Sequence, residues 1–183
     1  MKVLKYFSIL VLTVVSFSTI VMANSSREIT VDANAALAEF QQETPSTKKL
    51  LAHAKGYVIF PDVNEAGFFL GGKYGEGVLI MNDKIQSFHS ITAASIGFQM
   101  GMQNYSLIIV FKSDEALKNF ILDDNDWESD FDKKFVIADW TADDDVDEVD
   151  YGSDMIGFAF DNKGMMGKLS MEGTKFETIN PDD

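Results

Sequence analysis

Few side chains in this 183-residue chain are of the types that carry covalent chemistry. Cysteine is absent, which excludes thiolate nucleophiles, disulfides and cysteine-ligated zinc. The two histidines are His53, in a helical pattern, and His89, in a strand pattern, and neither adjoins a nucleophile motif. Ala94-Ser95-Ile96-Gly97 is not the strained strand-to-helix elbow that exposes a catalytic serine. Both histidines therefore read as surface or hydrogen-bonded residues, and no catalytic residue is assigned. Gly71-Gly72-Lys73-Tyr74-Gly75-Glu76-Gly77 has the glycine content of a phosphate loop. It lacks the closing Gly-Lys-Ser/Thr and is not followed by a helical pattern, so its glycines mark a bulge, a bend or a close backbone approach. No cofactor is expected.

The run Asp143-Asp144-Asp145-Val146-Asp147-Glu148 has the oxygen ligands calcium prefers. Counted from Asp143, however, the sixth position is Glu148 and not glycine, and the twelfth is Asp154 and not glutamate. A solvated acidic segment is the better reading, with loose calcium or magnesium association as the alternative, and no metal-ligating residue is assigned. It belongs to a stretch, 123–150, that holds 13 acids against Lys133 and Lys134. Seven methionines beyond residue 23, among them Met100, Met102 and Met171, fall in or beside strand patterns. They suit irregular core gaps, and they would also suit a cavity that adapts to an apolar ligand.

These residues are positioned by two helices followed by many strands. Asp32 is placed to cap a helix presenting Ala33, Ala36, Leu37 and Phe40, and Thr44-Pro45 opens a second with Leu50, Leu51 and Ala54, ending at Gly56. Strands are expected at Tyr57–Phe60, closed by Pro61, and at 66–73, 77–81, 84–91, 95–103 and 107–111, with Asn82-Asp83 as a hairpin turn. On the alternating stretch Ser95–Gln103, Gly97 and Gly101 are expected where a side chain would collide with a neighbour. Ser113 caps a helix whose stripe is Ala116, Leu117, Phe120 and Ile121. Phe135–Ala138 is a short strand, and 155–160, a turn at Asn162-Lys163-Gly164, 165–171 and 174–179 read as a closing meander. Consecutive strands without regular helix alternation predict an α+β fold, with the N-terminal helices on a curled, glycine-rich antiparallel sheet resembling a partial barrel.

The N-terminus has a separate role. Lys2 and Lys5 precede an apolar run from Tyr6 to Phe17, and Val21-Met22-Ala23 places small or medium residues before a cleavage point. Residues 1–23 thus read as an export signal, leaving 24–183 as one periplasmic or secreted domain beginning at Asn24. Cleavage removes two lysines and no acid, leaving 13 basic and 29 acidic residues and a net charge of −16. Such a surface argues against nucleic acid as a partner.

The ordered set Ala36-Leu37-Ala38-Glu39-Phe40, Lys49-Leu50-Leu51-Ala52-His53-Ala54-Lys55-Gly56, Val58-Ile59-Phe60-Pro61, Ala66-Gly67-Phe68, Gly71–Leu79, Ser95–Gly101, Lys163–Gly167 and Leu169–Gly173 resembles the SYLF, or Ysc84-type actin-binding, domain from about Ala35 to Phe176. The resemblance implies a non-enzymatic binder of membrane phospholipid: eukaryotic relatives bind phosphoinositides, fungal ones also actin, and bacterial ones are commonly exported. The departure is 123–150, whose acids would repel an anionic membrane. Contact is then expected through a face directed away from it, with Lys48, Lys49, Lys55 and Lys73, which should mostly be solvent-exposed, as the lipid-binding residues. The alternative is an envelope module that binds another protein without lipid specificity; the third reading is an undetected hydrolase.

Overall fold

The structure, a computed structural model, describes residues 24–43, 45–122, 135–139, 153–164, 171 and 173–183. The export signal, the Thr44 cap, the acidic segment apart from 135–139, and the 165–170 part of the closing strands lie outside the described residues.

The first helix, α1 (Ser26–Glu43), starts earlier than Asp32, which lies exposed within it. Its start is a reciprocal capping box. The Ser25 hydroxyl accepts from the Glu28 amide at 3.3 Å, and Glu28 Oε2 accepts from the Ser25 amide at 3.0 Å. The extra turn adds Ile29 to a buried stripe that continues through Ala33, Ala36 and Phe40. Helix α2 (Pro45–His53) follows, and Leu51 and Thr47 are buried among its described side chains.

The remaining chain is built on one very long hairpin, β1 (Gly56–Met81) and β2 (Lys84–Phe111), paired antiparallel. Pro61 does not end β1. It sits in a register shift between Phe60 and Val63, where a residue without an N–H removes no ladder bond, and its carbonyl accepts from the Ser106 hydroxyl at 2.8 Å. Asn82 and Asp83 both have positive φ, 51° and 58°, the conformation of a two-residue type I′ turn. Helix α3 (Asp114–Leu122) is capped as expected, with the Ala116 amide donating to Ser113 Oγ at 3.1 Å. Of its anticipated stripe, Ala116, Leu117 and Phe120 are buried, and Ile121 is exposed instead.

Among the described residues, strands β3 (Phe135–Asp139), β4 (Met155–Gly164) and β5 (Thr174–Ile179) bring the sheet to five strands, ordered β1-β2-β4-β3 with β5 also on β2. The class is α+β, and the sheet curls without closing into a barrel. All pairings are antiparallel except β3–β4, which is parallel. The two described closing strands, β4 and β5, do not pair with each other. β4 pairs with the second half of β2 and runs through the expected turn, so that Lys163 faces Asn104, whereas β5 pairs with Phe88–Ala93 in the first half.

Both faces of the sheet are covered, which is why Tyr57–Phe60 is uninterruptedly apolar. Tyr57 and Ile59 join the cluster under α1 and α2, where Phe40 packs on Phe158 and Phe160 at ring distances of 5.2 and 5.4 Å. Val58 and Phe60 join the other cluster, with Leu117 and Phe120 of α3, Phe111 and Phe176. The two halves of β1 also meet each other. At Gly77 a Cβ would lie 2.1 Å from the Ile59 carbonyl oxygen, and at Gly75 one would lie 2.9 Å from that of Asp62. Close approach, one of the roles expected of this glycine run, is the role of Gly75 and Gly77, whereas a Cβ at Gly72 would meet only the Ala93 carbonyl oxygen at 3.8 Å. Gly101, by contrast, is set apart by its φ of 153° opposite Gly67, beside a register shift, and the side-chain surroundings of position 97 lie outside the described residues.

Candidate functional site

The curl of the hairpin brings charged residues from both of its arms into the interior. Glu65 and Gln103 are direct register partners on β1 and β2, and Lys73 follows on β1 beyond the bend. Lys73 is only 5% exposed. Its ammonium lies 3.7 Å from Glu65 Oε2, and the Gln103 side-chain amide donates to the same oxygen at 3.0 Å. Lys73 Nζ also faces Met171 Sδ at 3.9 Å and stands 6.0 Å from the centre of the Tyr105 ring. Burial pulls the Lys73 ammonium below the ordinary lysine range, and the Glu65 carboxylate partly opposes this.

Tyr105 is fully buried, and its hydroxyl has no hydrogen-bond partner among the described residues. Burial, with the Glu65 charge adding to it, raises that hydroxyl well above the usual tyrosine value. An unpartnered buried donor costs about 1–3 kcal/mol. The cluster therefore has hydrogen-bonding capacity to spare.

Beside this cluster is a cavity of about 220 Å³, lined by Asn64, Glu65, Ala66, Gly72, Lys73, Tyr74, Met102 and Gln103. It is smaller than the roughly 300–1,000 Å³ of small-molecule sites. Part of an amphiphile fits such a volume; a whole lipid does not. Met102, 74% exposed, gives the cavity an apolar, solvent-facing edge. Because Glu65 already neutralises Lys73, the site attracts an added anion weakly; it offers a donor and an acceptor side by side at an apolar recess.

The four lysines singled out from the sequence are thus not one surface. Lys48 and Lys49 are exposed on α2, and Lys55, just beyond it, is exposed with its ammonium 3.3 Å from Asp114. Lys73 is the correction: it is buried. Its strand lies inside the curl, and a paired carboxylate makes its burial tolerable. Sequence reasoning also passed over Glu65, Gln103 and Tyr105. The available signal was their spacing: Val63 and Glu65, like Gln103 and Tyr105, alternate onto the same buried face.

The histidines behave as ordinary hydrogen-bonded residues. Exposed His53 donates from Nδ1 to the Lys49 carbonyl at 2.7 Å, which suits a helix C-terminus. His89 is buried, with Nε2 2.8 Å from the Ser87 hydroxyl and its ring 4.8 Å from that of Phe120. Neither Ser87 nor His89 lines the cavity. Among the described residues, no group of acids and histidines could hold a metal ion, and no helix is long and apolar enough to cross a membrane.

No curated protein matches the chain in sequence. The family model Ysc84, described as "Las17-binding protein actin regulator", matches residues 92–181. That span contains Met102, Gln103, Tyr105 and Met171 from the buried cluster and cavity, together with β3, β4 and β5. Together with the α+β fold, this match shows that the chain belongs, through residues 92–181, to the Ysc84 (SYLF) domain family.

Proposed function

We propose that the chain is exported, cleaved near Ala23, and binds membrane phospholipid or a similar amphiphile at the cell envelope without catalysing a reaction. The observation that carries this reading is the cavity beside Lys73, which joins an apolar edge at Met102 to a buried donor–acceptor pair. Membership of a binding family supports it. The division of labour follows from charge. Lys73 is neutralised by Glu65, so an anionic headgroup gains more from exposed Lys48, Lys49 and Lys55, while the recess takes an uncharged or apolar portion. The acids of 123–150 repel an anionic membrane, so the contact has to be made by a face directed away from them.

Liposome co-sedimentation of the mature domain tests this. Vesicles containing anionic phospholipid should bind better than zwitterionic ones, and binding should weaken with salt, because exposed charges are screened beyond about 8 Å at physiological ionic strength. Changing Lys48, Lys49 and Lys55 to glutamine should abolish the preference. No binding at low salt would refute the peripheral contact. Native mass spectrometry of protein taken from its own envelope would weigh a retained amphiphile directly. The second reading is a protein partner, and it has its own observation: Ile121 and Leu122 are exposed side by side at the end of α3, Leu122 by 67%.

A further inference from the structure

Glu76 is a carboxylate in an unusual position. It lies on β1 between Gly75 and Gly77 and is only 5% exposed. One of its oxygens accepts from the Tyr74 hydroxyl at 2.7 Å. The other accepts from the backbone nitrogen of Asn24, at 3.0 Å, across fifty-two residues of chain. Among the described residues no basic side chain forms an ion pair with it. A buried carboxylate is costly unless it is paired as well as hydrogen-bonded.

The identity of that nitrogen matters. In the uncleaved chain the Asn24 nitrogen is a neutral amide with a single N–H. Cleavage after Ala23 converts the same atom into an ammonium with three N–H groups and a unit charge. The bond to the carboxylate is charge-assisted in either form, and what cleavage adds is a unit positive charge on the donor, so a charge–dipole contact becomes an ion pair. We propose that Glu76 is the docking site for the α-ammonium created by removal of residues 1–23, so that processing itself completes a half-buried ion pair fastening the start of α1 to β1. The inference rests on the export reading.

The surroundings accept a positive charge. A cation near a helix N-terminus is disfavoured by the helix dipole. Here, however, carboxylates gather at the first turn: Glu28 accepts from the Ser25 amide and hydroxyl, and Asp182 Oδ1 accepts from the Ser26 amide at 3.0 Å. Those hydrogen bonds hold both Glu28 and Asp182 below the ordinary carboxylate range, and Tyr74 is pushed up to about 12, chiefly by burial. None of these three changes charge near neutrality, and Arg27, the basic residue of this turn, is exposed. The α-amino group is therefore the one that titrates there, with an ordinary value of about 7.7–8.0. Docking raises that value. The added stability is then complete below about pH 7.7 and is lost as pH rises through the raised value.

The test compares purified chains beginning at Asn24 with chains retaining Ala23, each with Glu76 intact and as Glu76→Gln. At pH 6 the Asn24 chain should melt about 3–5 °C higher than the Ala23 chain, the shift expected for an α-amino value raised by about one unit. The difference should vanish in the Glu76→Gln pair and above about pH 10, and nitrogen NMR should show the raised titration directly. Equal melting of the two chains with Glu76 intact, or a difference that persists in Glu76→Gln, overturns the proposal. If Glu76→Gln does not fold, the NMR titration of the Asn24 chain decides alone, and an ordinary α-amino value is then the refuting result. N-terminal sequencing of the exported protein tests the processing separately. Asn24 as first residue supports it, and any other start overturns the role in the cell whatever the purified chains show.

Discussion

Replacing Gly77 by alanine adds one methyl group at a glycine where the backbone of another segment leaves no room for it. The added Cβ would lie 2.1 Å from the Ile59 carbonyl oxygen, 2.9 Å from its carbon and 2.7 Å from Cδ1 of Phe60. Ordinary contact begins near 3.4 Å, so the two halves of β1 must separate by more than 1 Å. Neither half can move alone. Ile59 is tied to Ile108 and Gly77 to His89 in the ladder with β2, while Val78 and Leu79 pack into opposite core clusters. Overpacking typically costs about 1–3 kcal/mol, and a collision with backbone belongs at or above the top of that range. At roughly 2–4 °C per kcal/mol for a domain of this size, about 3 kcal/mol lowers Tm by about 6–12 °C. Gly72→Ala is the control, because its Cβ would meet only the Ala93 carbonyl oxygen, at 3.8 Å. It should be neutral or stabilising by up to about 1 kcal/mol, through the unfolded chain's lost freedom. Thermal melts followed by circular dichroism, with urea midpoints at unchanged m, measure both. A Gly77→Ala protein melting within about 2 °C of the parent would refute the doubled-back hairpin.

Other outcomes follow from the buried charges. Lys73→Gln leaves Glu65 without its cation and should cost about 3–5 kcal/mol, whereas exchanging Lys48 or Lys49 for glutamine should change stability by no more than about 0.5 kcal/mol; urea unfolding separates the two. Tyr74, pushed up to about 12 by burial and by Glu76, stays protonated in the fold at a pH where the unfolded chain has ionised. Its contribution is present below about pH 10 and is lost as pH rises from there towards 12, so Tyr74→Phe should flatten the alkaline decline in Tm over that window.

Local signals in the sequence were sufficient for the local structure. Ser113 caps α3, Asn82-Asp83 turns the hairpin, and the unbroken run Tyr57–Phe60 lies buried on both faces, each because the deciding interactions are within a few residues. The Ser25–Glu28 capping box was equally readable, and the choice of Asp32 missed it because an acid before an apolar stripe carries the same signal. Lengths and partners of strands were not local questions. Pro61 and the glycines look like strand ends in one dimension, yet register shifts absorb them, and β1 continues for 26 residues.

Charge drew the same line. Composition alone established the absence of thiol chemistry and the acidic surface, since neither depends on how the chain is folded. The fate of one lysine does. Lys48, Lys49, Lys55 and Lys73 are chemically equivalent in sequence, and only the bend of the hairpin, which returns β1 past Glu65 and Tyr105, puts Lys73 inside and leaves the others in water. Burial of a charge is a property of what surrounds it on every side. For Lys73 and Glu76 those surroundings come from segments up to about a hundred residues apart, which the tertiary structure alone brings together.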